Sequence, residues 1–199
     1  TLQENGNPVS YRNYLSDDWS DSGAGELLAD LVPEGETLTP GKRYAESLSV
    51  FNSGAIDTYV RVILYRSWQD SQGNKLTALS PELIEFDLAE DSGWVVDEKA
   101  STPERMVLYY TKVLPSQEST PALCDAVGIS GDIFREVDRI SVEETEEGKI
   151  FRTIYRYDGC WMNVKAEVDA VQTHSAAEAI GSAWGVDADV AADGTLRLK

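Results

Sequence analysis

The chain has 199 residues, 42% of them hydrophobic, with 17 basic residues against 35 acidic ones and a formal net charge of −18. That length supports one domain with a sizeable core, and the apolar fraction is too high for a disordered chain. The negative field repels phosphates and anionic headgroups, so neither nucleic acid nor an acidic membrane is an expected partner.

No apolar run is long enough for a membrane-spanning helix, and no signal peptide is recognisable. The chain begins at Thr1 and not at a methionine, which reads as a processed or trimmed product. Residues 1–42 are the least regular, with Asn5-Gly6-Asn7-Pro8, the acidic run Asp17-Asp18-Trp19-Ser20-Asp21 and Pro40-Gly41. A strand is possible over Val9–Leu15. Val9, Tyr11 and Leu15 share one parity, so an extended segment would present Val9 and Tyr11 to a groove while Ser10 and Arg12 face water. Such a strand either pairs within its own sheet or is donated to a neighbour.

Residues 43–199 read as the folded domain. The first clear strand is expected at Tyr44–Phe51, closed by Asn52-Ser53-Gly54. The next, Thr58–Trp68, places Val60, Val62 and Leu64 on one face and Tyr59, Arg61, Ile63 and Tyr65 on the other, as a central strand would. Leu83–Leu88, Trp94–Val96 and Arg105–Leu114 are further strands, and Pro121–Ile129 fits a short helix or a strand. Ile140–Glu144, Ile150–Tyr157 and Trp161–Val171 read as a meander jointed at Glu147-Gly148 and Asp158-Gly159. The Asp-Gly pair is the stronger hairpin signal and predicts a ladder between Ile150–Tyr157 and Trp161–Val171.

In the last of these strands Met162, Val164, Ala166, Val168 and Ala170 alternate with Asn163, Lys165, Glu167 and Asp169. One buried face and one wet face follow from that period of two. Ser175-Ala176-Ala177-Glu178 has capping-box spacing, Ala177, Ile180 and Trp184 continue at helical spacing, and Gly185 marks a stop. The expected fold is an all-β antiparallel sandwich of jelly-roll type with a short C-terminal helix.

Little of the sequence points to catalysis. His174 is the only histidine, so a two-histidine zinc helix is impossible, and Ser175 is too close to be its nucleophile partner. Asp187, Asp189 and Asp193-Gly194 resemble a calcium loop, but the EF-hand glycine position holds Ala192 and the bidentate position Leu198. Asp17, Asp18 and Asp21 fare no better. No carboxylate pair stands out for glycoside hydrolysis. No enzyme activity, cofactor or metal is expected. Cys124 and Cys160 make no metal-ligand spacing; they either pair, in an oxidising compartment, or remain buried free thiols.

Several short motifs together resemble the TasA/camelysin-like family of exported bacterial proteins. They are Pro40-Gly41, Asn52-Ser53-Gly54 with Asp57-Thr58-Tyr59-Val60-Arg61-Val62, Trp94 with Tyr109-Tyr110 and Leu114, and Val168-Asp169-Ala170-Val171-Gln172 with Ala176-Ala177 and Trp184. The resemblance runs from about Pro40 to Trp184. It implies an extracellular jelly-roll sandwich that self-associates into biofilm-matrix fibres or pilus-like filaments, in some members by donation of an N-terminal strand. The alternatives are a camelysin-like protease, or a jelly roll for adhesion or carbohydrate binding.

Overall fold

A computed structural model describes residues 1–10, 27–146 and 148–199. In chain order the strands are β1 (Leu2–Glu4), β2 (Asn7–Ser10), β3 (Arg43–Val50), β4 (Thr58–Gln69), β5 (Ile84–Leu88), β6 (Trp94–Val96), β7 (Arg105–Tyr110), β8 (Cys124–Ile129), β9 (Val137–Thr145), β10 (Gly148–Tyr155) and β11 (Trp161–Gln172). A helix, α1 (Ala176–Trp184), and two short strands, β12 (Ala188–Val190) and β13 (Leu196–Leu198), complete the described chain. Every strand pairing among the described residues is antiparallel.

Two sheets form a sandwich, one ordered β2-β1-β3-β8-β5 and the other β11-β4-β7-β6. Between them pack Leu48 and Val50, Ile84 and Phe86, and Val127 and Ile129 from the first sheet, and Val60, Val62, Leu64, Trp68 and Leu108 from the second. Each fully buried side chain of this size contributes about 1.5–3 kcal/mol. The opposite face of the second sheet is also apolar. There Tyr59, Ile63, Val107 and Tyr109 pack beneath α1 and the β12–β13 hairpin, against Ile180, Trp184 and Leu196. The two-faced pattern read from Thr58–Trp68 therefore belongs to a central strand, paired with β11 on one side and β7 on the other.

The segment Pro121–Ile129 resolves into a strand beginning at Cys124. Residues 1–10, expected to be irregular or at most part of one strand, supply two strands of the first sheet. Leu2, Gln3 and Glu4 pair with Val50, Ser49 and Leu48, and β2 folds back on β1. Val9 is buried in that pairing, within its own sandwich. Tyr11 and Leu15 lie outside the described residues.

The Asp158-Gly159 hairpin is not formed. Strand β10 pairs with β9 across the Gly148 joint, while β11 pairs with β4 over twelve residue pairs, from Trp161 opposite Gln69 to Gln172 opposite Thr58. The cause lies at Tyr157. Its ring enters the core and meets Trp68 edge-on at 5.0 Å, and its hydroxyl accepts from the Ser80 amide at 3.0 Å. This anchor pulls the chain out of the ribbon, and the Asp-Gly turn closes locally, with Asp158 N–H on Tyr155 O and Cys160 N–H on Tyr157 O. The meander becomes a separate two-stranded arm, β9–β10, followed by a strand of the sandwich.

The helix starts and stops where the sequence indicates, but its cap differs. Ser175 sits in the left-handed region, at φ 49°, and its side chain makes no capping hydrogen bond. Its carbonyl accepts the first helical bond from Ala179. Ala176, and not Ala177, joins Ile180 and Trp184 on the buried face. Gly185, at φ 69°, ends the helix as expected.

Candidate functional site

The residues weighed as catalytic or metal-binding are scattered or already engaged. His174 is exposed at the junction of β11 and α1. Asp189 pairs with Lys199 Nζ at 2.8 Å, and Asp193 Oδ1 accepts the Thr195 amide at 3.0 Å, holding the β12–β13 turn. The Thr195 amide also holds the Asp193 carboxyl below its usual range. Among the described residues no three His, Cys, Asp or Glu side chains converge on a point that could hold an ion. Asp17, Asp18 and Asp21 lie outside those residues.

The two cysteines are free thiols in this structure. Cys124 is buried in β8, its Sγ directed at Glu46 O at 3.5 Å, and burial pushes its thiol up to about 12. Cys160, half-buried where β11 begins, has Sγ 3.8 Å from Arg156 O. Burial raises this thiol too, so neither cysteine has the depressed value of a reactive nucleophile.

A shallow depression at the base of the arm is lined by Ser80, Leu83, Asp132, Arg135, Glu136 and Tyr157, among others. Its charges pair with one another, Arg156 with Glu136 at 3.2 Å and Arg135 with Asp132 at 3.4 Å. It holds no nucleophile and base within reach of each other. Among the described residues Glu46, 3% exposed, is the one buried carboxylate, and its Oε1 has no partner there. It lies on β3 within reach of the charge of Glu4, and burial raises its carboxyl value.

The motif residues act in structure. Asn52, buried in the arch between β3 and β4, donates from Nδ2 to Ile56 O at 2.8 Å and Leu114 O at 3.2 Å, and its Oδ1 accepts the Gly54 amide at 3.0 Å. Asp57 accepts the Ser116 amide at 2.9 Å. Trp94 packs on Tyr110 and Trp184 on Tyr109, each pair with centroids 5.4 Å apart. Gly41, at φ 82°, donates its amide to Ile129 O at 2.7 Å.

What the fold leaves open is backbone. Strand β11 lies at the end of its sheet, with twelve residues paired on one side only. The arm β9–β10 joins neither sheet, so both of its outer edges are free among the described residues. The arm also exposes Ile140 (62%), Val142 (51%) and Phe151 (68%). Unpaired strand edges of this length are templates for another chain. Sequence reasoning missed this surface because it assigned β10 and β11 to each other.

Comparison with protein-family models finds no match to this chain, and searches of curated proteins and of solved structures find no significant match either. No helix among the described residues is long and apolar enough to cross a membrane.

Proposed function

We propose that this chain is a non-enzymatic structural protein, exported to the cell surface or its surroundings, that assembles with copies of itself into a fibre by strand exchange. The family resemblance supplies the extracellular setting and the jelly-roll type. The observation that carries the reading is the placement of the N-terminal strands. The ladder of β1 to β3 consists of three residue pairs, Leu2–Val50, Gln3–Ser49 and Glu4–Leu48, and β2 is held through β1. This unit occupies the edge position that a donated strand would take. Exchanging it between neighbours preserves each ladder contact while linking two chains, the usual low-cost route of strand swapping. Strong negative charge opposes indiscriminate association of such edges.

The test uses electron microscopy of the chain across a concentration series. In a Cys160→Ser background, Gln3→Cys with Ser49→Cys is treated with a short bismaleimide at dilution, which ties β1 to its own β3. Filaments from the untreated chain, lost on locking while circular dichroism stays unchanged, support the reading. Filaments that form equally well after locking overturn donation from this end, and a chain that stays monomeric throughout overturns the fibre.

A further inference from the structure

The arm β9–β10 and the edge of β11 are unpartnered for reasons that match. We propose that the arm of one copy adds to the β11 edge of a second copy, β10 against β11, so that the ladder signalled by the Asp158-Gly159 turn is completed between chains. The inference rests on the reading that the protein assembles with itself, and it names a second contact surface, separate from the N-terminal strands.

Three observations carry it. First, β11 is the one long, proline-free edge of the sandwich among the described residues. At the other edges, β2 carries Pro8, β5 is five residues long with Glu85 and Asp87, and β6 has three residues. Proline, short length and charge are the usual protections of an edge. Strand β11 has twelve residues and no proline, and its charges, Lys165, Glu167 and Asp169, share one face, opposite Met162, Val164, Ala166 and Val168.

Second, the apolar faces are complementary in parity. Met162, Val164, Ala166 and Val168 pack toward the sandwich core but remain only partly buried. On the arm, Val142 lies opposite Phe151 and Ile140 opposite Thr153, which places Ile140, Val142 and Phe151 on one face. An antiparallel pairing that sets Phe151 beside Val168 continues the inward apolar row of the sheet onto this face. A ribbon of two strands is at best marginally stable alone, and a third strand removes that weakness.

Third, charge selects the partner. Strand β10 carries Lys149 and Arg152 and no acidic residue, in a chain with a net charge of −18. The pairing that places Phe151 beside Val168 sets Arg152 opposite Glu167, which no ion pair engages among the described residues, whereas its row neighbour Asp169 is already paired with Arg61 and its other row neighbour is Lys165. Among the described residues no ion pair engages Arg152. A two-fold pairing of β9 with β9 would bring Asp138 toward the acidic Glu143–Glu146 end of the other copy, and like charges across a ladder destabilise it. The favoured contact is therefore head-to-tail, which propagates and does not close.

The test mixes two versions of the full chain, each in the Cys160→Ser background, one with Arg152→Cys and the other with Glu167→Cys. A short bismaleimide tolerates a register error of one step. A covalent dimer in the mixture, absent from either variant alone, supports the proposal. Phe151→Asp, at an exposed position that leaves folding intact by circular dichroism, is then expected to weaken association about 30-fold, as loss of an interface anchor does. An intrachain link in the dilute double variant means the arm docks on its own β11 and overturns the proposal. Filaments without a covalent dimer also overturn it while self-assembly stands. Absence of both removes the proposal together with the fibre reading.

Discussion

Arg61 and Asp169 stand directly opposite each other across the β4–β11 ladder, with Arg61 Nε donating to Asp169 Oδ2 at 3.0 Å. The guanidinium carbon lies 5.3 Å from the Trp184 ring centroid, so one side chain connects the edge strand, the central strand and α1. The arginine side chain is 16% exposed and the aspartate 41%, which leaves the pair partly screened. Arg61→Ala is expected to cost about 1–2 kcal/mol and Asp169→Asn about 0.5–1 kcal/mol, with a coupling of about 0.5 kcal/mol. Urea unfolding of the double-mutant cycle measures this. Strict additivity would show that the packing on Trp184, and not the ion pair, accounts for the arginine.

Cys124 sets an alkaline limit. Its thiol, pushed up to about 12 by burial, keeps a proton that the unfolded chain releases at about 8.5. The native state thus binds more protons across that window, and stability falls as pH rises through it, by at most about 1.4 kcal/mol per pH unit from this group. Tyr59, Tyr109 and Tyr110, also raised by burial, steepen the same decline. Cys124→Ala should therefore flatten the curve of stability against pH above 9 without abolishing its slope. At pH 8 a thiol reagent should label Cys160 in the native protein and Cys124 only after unfolding. Equal labelling rates would contradict the burial of Cys124.

Glu46 should behave in the same sense at lower pH. Burial raises its carboxyl value, and the charge of Glu4 raises it further. The folded chain holds this proton more tightly than the unfolded one, so the stabilising contribution is present in acid and is lost as pH rises through the raised value. Glu46→Gln keeps the shape without the buried charge. It is expected to stabilise the protein by about 1 kcal/mol at pH 7, with no gain at pH 4. Urea midpoints at the two pH values check this; an equal or negative effect at both would mean that the carboxylate is well satisfied.

Ser175 carries strain and no cap. A residue with a Cβ in the left-handed region is disfavoured relative to glycine, and the hydroxyl makes no hydrogen bond to the first turn. Ser175→Gly is expected to raise stability by about 0.5–1 kcal/mol, and Ser175→Ala to change it by less than about 0.5 kcal/mol. A loss near 1 kcal/mol for the alanine variant would restore a capping role in solution.

The sequence by itself determined what depends on near neighbours. The two apolar faces of Thr58–Trp68 and the stop at Gly185 follow from side-chain period and backbone freedom, and both survive in the fold; the alternation over Met162–Ala170 survives in part, with Met162, Val164, Ala166 and Val168 half-buried against the core and Ala170 exposed at the open edge. The tertiary structure decided which strands meet. Pairing β11 with β4 joins residues as distant as Thr58 and Gln172, and no local signal encodes that choice. It is set by the apolar area both strands bury together and by the anchoring of Tyr157 on Trp68 and Ser80, which outweigh the turn preference of Asp158-Gly159. Packing likewise buried Cys124 and Glu46 and set the arm β9–β10 apart. The surfaces on which the functional reading rests are thus products of packing, because an open edge exists only once every better partner in the chain has been taken.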